Sequence, residues 1–342
     1  MSFEINNRRY TGCKYKLTDW IKEVIKEGCP NCTSFCDIFA GTGVVTASVI
    51  DMFEEYIIND FLFSNEVIYN AFFLKEAYSE EKMYAFYSKY HFLTADSLPE
   101  NYFSKNFGGN FFSKDDALII GFIRDDIERN RKSLNLKEYS ILVASLLYSA
   151  DRSANTCGHY EAFIKNKEAR SSFRFELIMP IIKSNIDPRD IKIYREDSNL
   201  LVKRIQCDIT YIDPPYSSRQ YSRFYHVLET LTKWDSPVLS GTALKPPEEN
   251  MSEYCKSKAL DAFKDLIYSS KSRFLIVSYN NTYDSKSSSS QNKMTLEDIK
   301  AVLDNKGKTK VYAKDHKAFN AGKTDMQQHQ ELLFVTEVGV SI

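Results

Sequence analysis

SFCDIFAGTGVVTASVIDMFEEYIIND, from Ser34 to Asp60, decides the fold. The run Ser34 to Phe39 reads as a strand and stops at Ala40-Gly41-Thr42-Gly43. Gly43 to Met52 restarts with helical spacing, and Tyr56 to Asn59 is a second apolar strand that closes on Asp60. Strand, glycine turn, helix and strand with a terminal acid make a nucleotide-binding βαβ unit. Glycine has no Cβ, so such a turn lets the backbone approach a ligand closely. No GKS or GKT follows, which excludes a P-loop, and Thr46 stands where GxGxxG needs its third glycine. Asp60 lies about twenty residues beyond the turn, the spacing at which an acid hydrogen-bonds ribose hydroxyls. The plain alternatives are a tight turn and a strand-end cap.

The same alternation resumes near the C-terminus. Lys16 to Lys26 has helical spacing. Ile191 to Asp197, Cys207 to Ile212 and Phe274 to Asn281 read as strands. Ser222 to Trp234, Glu253 to Ser269 and Thr295 to Leu303 read as helices, and SKSSSSQ (Ser285 to Gln291) as a loop. Val311 to Ala318 and Glu331 to Val338 form a closing antiparallel hairpin. The chain is therefore α/β with a mostly parallel sheet. Strands end on Asp37, Asp60, Asp197, Asp213 and Asn280. Ligands of open α/β sheets bind beyond the carboxyl ends of the strands, so these five define one composite site. Between the two halves the character changes. Phe61 to Tyr90 is helical and aromatic, and Asn101 to Lys114 reads as loop. Asp116 to Arg131 and Lys137 to Ser149 are amphipathic helices, and Gly158 to Phe175 is basic and aromatic. Residues 96–186 are expected to be a mainly helical insertion in a domain formed by 1–95 and 187–342.

Bulk composition narrows the class. The 342 residues are 43% hydrophobic and 27% charged with a net charge of -1, as in a folded water-soluble protein. That charge does not signal nucleic acid, so such a partner would need a local basic patch. MSFEINNRRY lacks the apolar core of a signal peptide, and ALIIGFI and ILVASLLY are too short to span a bilayer. A cytoplasmic protein without a membrane partner is expected. Seven cysteines, an odd number, argue against a disulfide framework. Cys29, Cys32 and Cys36 lie in CPNCTSFC, but no second pair completes a four-ligand zinc site. No metal is expected.

The second informative stretch is TYIDPPYSSRQY, Thr210 to Tyr221. A buried strand meets an acid, two prolines and an aromatic ring. Proline cannot donate to a sheet ladder, so the strand ends there. Asp213 is an acceptor when ionised, and the carbonyl of Pro214 is a second acceptor whose direction proline fixes. Pro215 stiffens the turn, and Tyr216 offers a flat face. Two acceptors and a plate match a flat heterocycle with an exocyclic NH2. A base in a duplex has to leave the stack to reach such a pocket. The alternative is a strand-terminating turn.

At this point the chain resembles the Dam-like, DPPY-containing DNA adenine N6-methyltransferases that use S-adenosyl-L-methionine. RRYTGCKYKL (Arg8 to Leu17) resembles their YxGxK motif, with Cys13 in place of a small residue such as serine. DIFAGTGVVT (Asp37 to Thr46) resembles their glycine-rich motif, YREDSNLL (Tyr194 to Leu201) the segment before the catalytic strand, and TYIDPPY the catalytic motif. NTCGHYEAFIK (Asn155 to Lys165) and YSRFYHVLETL (Tyr221 to Leu231) look like signatures of one branch. The resemblance covers both ends of the chain and weakens from about Ala95 to Asn155. It implies a Rossmann-like methyltransferase sheet with an inserted target-recognition region. It also implies that Tyr10 and Lys14 bind the cofactor's methionine end. Asp37, Phe39, Ala40, Gly41, Thr42 and Gly43 would wrap the cofactor, Asp60 would hold its ribose, and Asp197 with Ser198 would meet its adenine. Asp213, Pro214, Pro215 and Tyr216 would hold the target adenine.

The chemistry follows from the amino group. Its lone pair is delocalised into the ring, so it is a poor nucleophile. Hydrogen bonds from both N–H groups to Asp213 and the Pro214 carbonyl raise electron density on nitrogen, and catalysis rests on positioning and preorganised acceptors. For double-stranded DNA the best patch is Lys165, Lys167, Arg170 and Arg174, interleaved with Tyr160, Phe163 and Phe173. Arg129, Arg131 and Lys132 would add phosphate contacts. Arg219 and Gln220 either fill the gap left by a flipped base or are exposed loop. The expected activity is site-specific DNA adenine methylation, as the modification half of a restriction system with a separately encoded endonuclease. The rivals are a methyltransferase acting on cytosine N4 or on RNA, a protein-glutamine methyltransferase, a nicotinamide-dependent dehydrogenase, and a silent DNA-binding regulator on the same fold. The motifs do not settle oligomeric state.

Overall fold

The alternation of apolar runs and helical spacing becomes one sheet with helices. In a computed structural model describing residues 2–165, 171–281, 292–315 and 330–339, the strands are β1 (Ser34–Asp37), β2 (Glu55–Asn59), β3 (Asp190–Tyr194), β4 (Ile209–Ile212), β5 (Phe274–Asn280), β6 (Gly307–Asp315) and β7 (Gln330–Val338). The helices before β3 are α1 (Thr18–Gly28), α2 (Val44–Val49), α3 (Phe63–Phe73), α4 (Glu80–His91), α5 (Tyr102–Phe107), α6 (Lys114–Arg129) and α7 (Leu136–Ser153). After it come α8 (Ser198–Leu201), α9 (Tyr221–Phe224), α10 (His226–Lys233), α11 (Ala259–Ser269) and α12 (Leu296–Asp304).

The strand order is β3-β2-β1-β4-β5-β7-β6, a Rossmann-like sheet. The first five strands are parallel, and β7 runs antiparallel to both β5 and β6. The residues of β4 are buried throughout, as a parallel strand covered on both faces requires. The edge strand β6 carries Lys308, Lys310 and Lys314, charges that discourage further strand pairing. Ile38, Ile212, Leu275, Val277, Phe263, Leu266 and Phe334 belong to one apolar core. The order reverses between β1 and β4, whose residues Asp37 and Tyr211 are paired. That reversal is the topological switch point, where open α/β sheets bind ligands.

Several boundaries differ from the sequence reading. The strand at Ser34 ends at Asp37, because the chain already turns at Gly41 (φ 52°) and Gly43 (φ 76°). The following helix stops at Val49. Asn101 to Lys114 is not all loop. Asn101 and Ser104 form a capping box that starts α5, and Phe103 and Phe107, one turn apart, are buried. Ser285 to Gln291 and positions 316–318 lie outside the described residues.

The chain divides into two compact units. One comprises Gly12–Phe61, Pro188–Tyr221 and Asn250–Ile342 and holds the whole sheet with α1, α2, α8, α11 and α12. The other comprises Met1–Thr11, Leu62–Asp187 and Ser222–Glu249 and is helical. The central segment of the helical unit thus runs from Leu62 to Asp187, wider than 96–186, because α3 and α4 are built into it. Glu138 of α7 accepts from the Ser79 backbone at 3.1 Å and pairs with Lys82 at 2.7 Å. Lys89 and Tyr90 reach Asp126 of α6 at 2.5 and 2.7 Å. The segment 222–249 joins the unit through Arg124, which donates to the Leu231 carbonyl at 2.9 Å. Among the described residues no helix is long and apolar enough to cross a membrane.

Candidate active site

In the sheet unit, the loops after β1 and β4 leave neighbouring strands at the switch point. Gly41 and Gly43 hold the first loop in left-handed conformations that residues with a Cβ rarely adopt. Gly43 N donates to the Ala40 carbonyl at 2.7 Å, and Gly41 N donates to Asp60 Oδ2 at 3.0 Å. Asp60 therefore ties the end of β2 to the glycine turn. Phe39 is half-buried against Tyr254, with ring centroids 5.0 Å apart. Thr42 is buried, 3.7 Å from the Cys13 thiol. Asp37 is 1% exposed. Its Oδ2 accepts from Thr46 at 2.9 Å, and its Oδ1 has no partner. Burial lifts the Asp37 carboxyl to about 7 against the pull of the Thr46 bond, and repulsion from Asp213 and Asp60 adds to the rise.

One feature of this region carried no signal in the motifs. Asn59, fully buried near the end of β2, donates to the carbonyls of Ile38 at 3.0 Å and Glu196 at 3.1 Å. It accepts from Glu196 N at 3.0 Å. One amide thus clasps the loops after β1 and β3. A polar residue in a buried strand must find partners, and that is the signal that would have found it. Ser198 is buried and donates to the same Ile38 carbonyl at 3.0 Å. Asp197 caps α8, accepting from Asn199 N at 2.9 Å and Leu200 N at 3.2 Å.

The second loop carries the charge. Pro214 is buried and Pro215 half-buried. The Lys14 ammonium lies 3.0 Å from Asp213 Oδ1, 2.9 Å from Oδ2 and 3.3 Å from Glu331 Oε1 on β7. Lys14 also donates to the Tyr216 hydroxyl at 2.6 Å. That hydroxyl donates to Asp213 Oδ1 and also lies 3.1 Å from Glu331 Oε1. Ser278 of β5 donates to Glu331 Oε1 at 2.9 Å. The Tyr216 ring packs edge-on against Tyr279, with centroids 4.6 Å apart. The Lys14, Asp213 and Glu331 side chains are 6%, 17% and 5% exposed, so the cluster is nearly dry. Burial raises the Asp213 carboxyl, Lys14 opposes that rise and Glu331 adds to it. Burial pulls the Lys14 ammonium down, but Asp213 and Glu331 more than offset this and hold it above its usual value.

The structure brings together Lys14, Asp213 and Tyr216, which the sequence reading had placed in two roles, and adds Glu331, which it missed. Gln220 is stapled to Ser252, donating to its carbonyl at 2.9 Å and accepting from its N–H at 2.7 Å. The Arg219 carbonyl accepts from the Cys255 thiol at 3.2 Å. The thiols of Cys29 and Cys32 are pushed up by burial to about 12 and about 11, as expected of protonated packing groups.

In the helical unit, Tyr10 stacks on Tyr225 at 4.6 Å. Lys165 and Arg174 are exposed, whereas Lys167 and Arg170 lie outside the described residues. Tyr160 is not a surface aromatic but fully buried, donating to Asp151 at 3.1 Å. Phe163 is half-buried against Phe111 at 5.4 Å. Arg129 is exposed and pairs with Asp126 at 3.1 Å.

Residues 10–271 match the model of the D12 class N6 adenine-specific DNA methyltransferases. Modification methylase LlaI of Lactococcus lactis subsp. lactis is 34% identical over 80% of this chain, which spans 46% of that protein. Type II methyltransferase M.NlaIII of Neisseria lactamica is 29% identical over 94% of this chain and 95% of its own length. Type II methyltransferase M.CviAII of Paramecium bursaria Chlorella virus 1 is 31% identical over 93% and 94%. The chain thus spans about half of one relative and nearly all of the other two. With the glycine turn and DPPY at one switch point, the chain belongs to the D12 class of N6 adenine-specific DNA methyltransferases.

Proposed function

We propose that this protein transfers a methyl group from S-adenosyl-L-methionine to the N6 amino group of a flipped-out adenine in double-stranded DNA, at one short recognition sequence. It would serve as the modification half of a restriction-modification system whose endonuclease is a separate chain. The observation that carries this reading is the dry Lys14–Asp213–Tyr216–Glu331 cluster beside a glycine turn at the sheet's switch point. It provides acceptors for an amino group where an open α/β sheet binds its ligand. The names of the relatives, modification methylase and type II methyltransferase, support the biological role.

The class requires a methyl donor, and the residues fit S-adenosyl-L-methionine. The donor carries a sulfonium and an ammonium and no phosphate. Asp60, Asp213 and Glu331 supply acids at the strand ends, Lys14 pairs with the last two, and Asp37 keeps a buried oxygen with no hydrogen-bond partner. Such a setting suits a cation and opposes a pyrophosphate. Lys14 and Phe39 to Gly43 would hold the methionine end, Asp60 the ribose, and Asp197 with Ser198 the adenine. When bound, the donor supplies an already activated methyl group. The chain's own part is to orient the amino group through Asp213 and the Pro214 carbonyl and to keep water out.

Duplex binding is assigned to the helical unit, with Lys165 and Arg174 on phosphates. Phosphate contacts position a duplex while base-edge contacts choose the sequence. The testing experiment incubates the protein with S-adenosyl-L-methionine and unmethylated genomic DNA, then sequences it for modified bases. Modified adenine within one short recurring sequence is expected. Modified cytosine, or unmodified DNA, would refute the reading.

A further inference from the structure

Both oxygens of the Asp213 carboxylate have donors in this structure, two at Oδ1 and one at Oδ2. Lys14 contacts both oxygens, and the Tyr216 hydroxyl donates to Oδ1. An amino N–H can be received at Oδ1 only if Tyr216 lets go. A hydroxyl has one hydrogen, and leaving it unpaired in a dry site costs a lost hydrogen bond. A second acceptor is already in place, because Glu331 Oε1 lies 3.1 Å from the same hydroxyl and 3.3 Å from the Lys14 ammonium. Ser278 fixes that oxygen from β5 at 2.9 Å. Glu331 stands at the start of β7, with Tyr279 and Asn280 of the paired strand nearby in register. It is therefore held by the sheet rather than by a loop.

We propose that Glu331 is a positioning residue: it takes over the Tyr216 hydroxyl and shares the Lys14 ammonium when Asp213 Oδ1 turns to the target amino group. This rests on the reading that Asp213 receives that group. Glu331 lets Asp213 change partners without leaving a buried donor unpaired. Its charge also sets the field at Asp213. The groups facing Asp213 are Lys14 from the N-terminal segment, Tyr216 from its own loop, Tyr211 from β4, Asp37 from β1 and Glu331 from β7. Of these, Lys14 stabilises the Asp213 carboxylate by attraction and Tyr216 by its hydrogen bond, while Glu331 opposes it.

The test is Glu331→Gln, which keeps an acceptor but removes the charge. NMR titration of protein labelled on aspartate, with Asp213 assigned through Asp213→Asn, reads the carboxyl directly. The Asp213 midpoint should fall by about one pH unit once its like-charged neighbour is gone. In DNA methylation the acidic limb of kcat should move down with it. kcat should fall about tenfold as Lys14 closes onto Asp213, with KM for DNA within about threefold. Ser278→Ala leaves the Glu331 charge in place but frees its Oε1, so it should lower kcat by less without lowering the Asp213 midpoint, and it tests the positioning role through kcat if Glu331→Gln unfolds. An unmoved midpoint in Glu331→Gln overturns the proposal whether or not activity is lost. Wild-type kcat with a moved midpoint overturns the positioning role. Failure of the wild type to methylate DNA would refute the function reading separately, and the titration would still decide whether Glu331 shares the cluster.

Discussion

Lys14→Met removes the ammonium between Asp213 and Glu331 while keeping an unbranched apolar stem in its place. Two nearly buried carboxylates are then left facing one hydroxyl. Breaking a buried ion pair from one side costs about 3–5 kcal/mol. Here the cost is capped, because the two acids relieve their repulsion by taking up a proton. The sign of the pH dependence follows from the acids. The Asp213 carboxyl is already raised by burial in the native protein, and without Lys14 it rises further. A group raised on folding contributes stability below its unfolded value, and that contribution is lost as pH rises through the folded value. The deficit of Lys14→Met should thus be smallest at acid pH and grow as pH rises through the folded-state value of Asp213. The two compact units make a single unfolding midpoint unsafe. Hydrogen exchange of the β4, β5 and β7 amides in urea isolates the sheet unit. A deficit below about 1 kcal/mol at pH 8, or one that does not change with pH, would refute the assigned role of the cluster.

Three further outcomes follow from the geometry. Gly43→Ala places a Cβ at φ 76°, which costs about 1–2 kcal/mol. Calorimetry with S-adenosyl-L-methionine should show weaker binding while the melting of the helical unit is unchanged. Asn59→Ala removes the partner of the Glu196 carbonyl and N–H and leaves the Ile38 carbonyl to Ser198 alone, at about 1–3 kcal/mol in melting and exchange of the β1 and β3 loops. Lys165→Ala and Arg174→Ala should each lower the slope of log affinity against log salt by about one on duplex DNA, and an unchanged slope would remove that residue from the phosphate contacts.

What could be read from the chain alone was local. The turn after β1 announces itself through glycines that the backbone needs at Gly41 and Gly43. DPPY announces itself because proline ends the strand where the acid is wanted. Partners distant in sequence were not legible. Glu331 sits 118 positions after Asp213 in an ordinary-looking strand, and only the β5–β7 pairing brings it to the site. For Lys14, nothing in YxGxK says that its ammonium also reaches a carboxylate 199 residues away. Tyr160 reads in sequence as part of the basic, aromatic patch, yet a buried acid, Asp151, holds its hydroxyl inside the core. The unit boundary at Leu62 was missed because α3 and α4 owe their place to packing and ion pairs with α6 and α7, contacts without a local signature.

The most direct test of the central claim is single-turnover methyl transfer by Asp213→Asn, with S-adenosyl-L-methionine affinity measured on the same preparation. Asparagine keeps the shape and removes the negative acceptor. The account predicts a rate at least about a hundredfold lower, with cofactor affinity within about tenfold of wild type. Equal rates of N6-methyladenine formation by the variant and the wild type would contradict it.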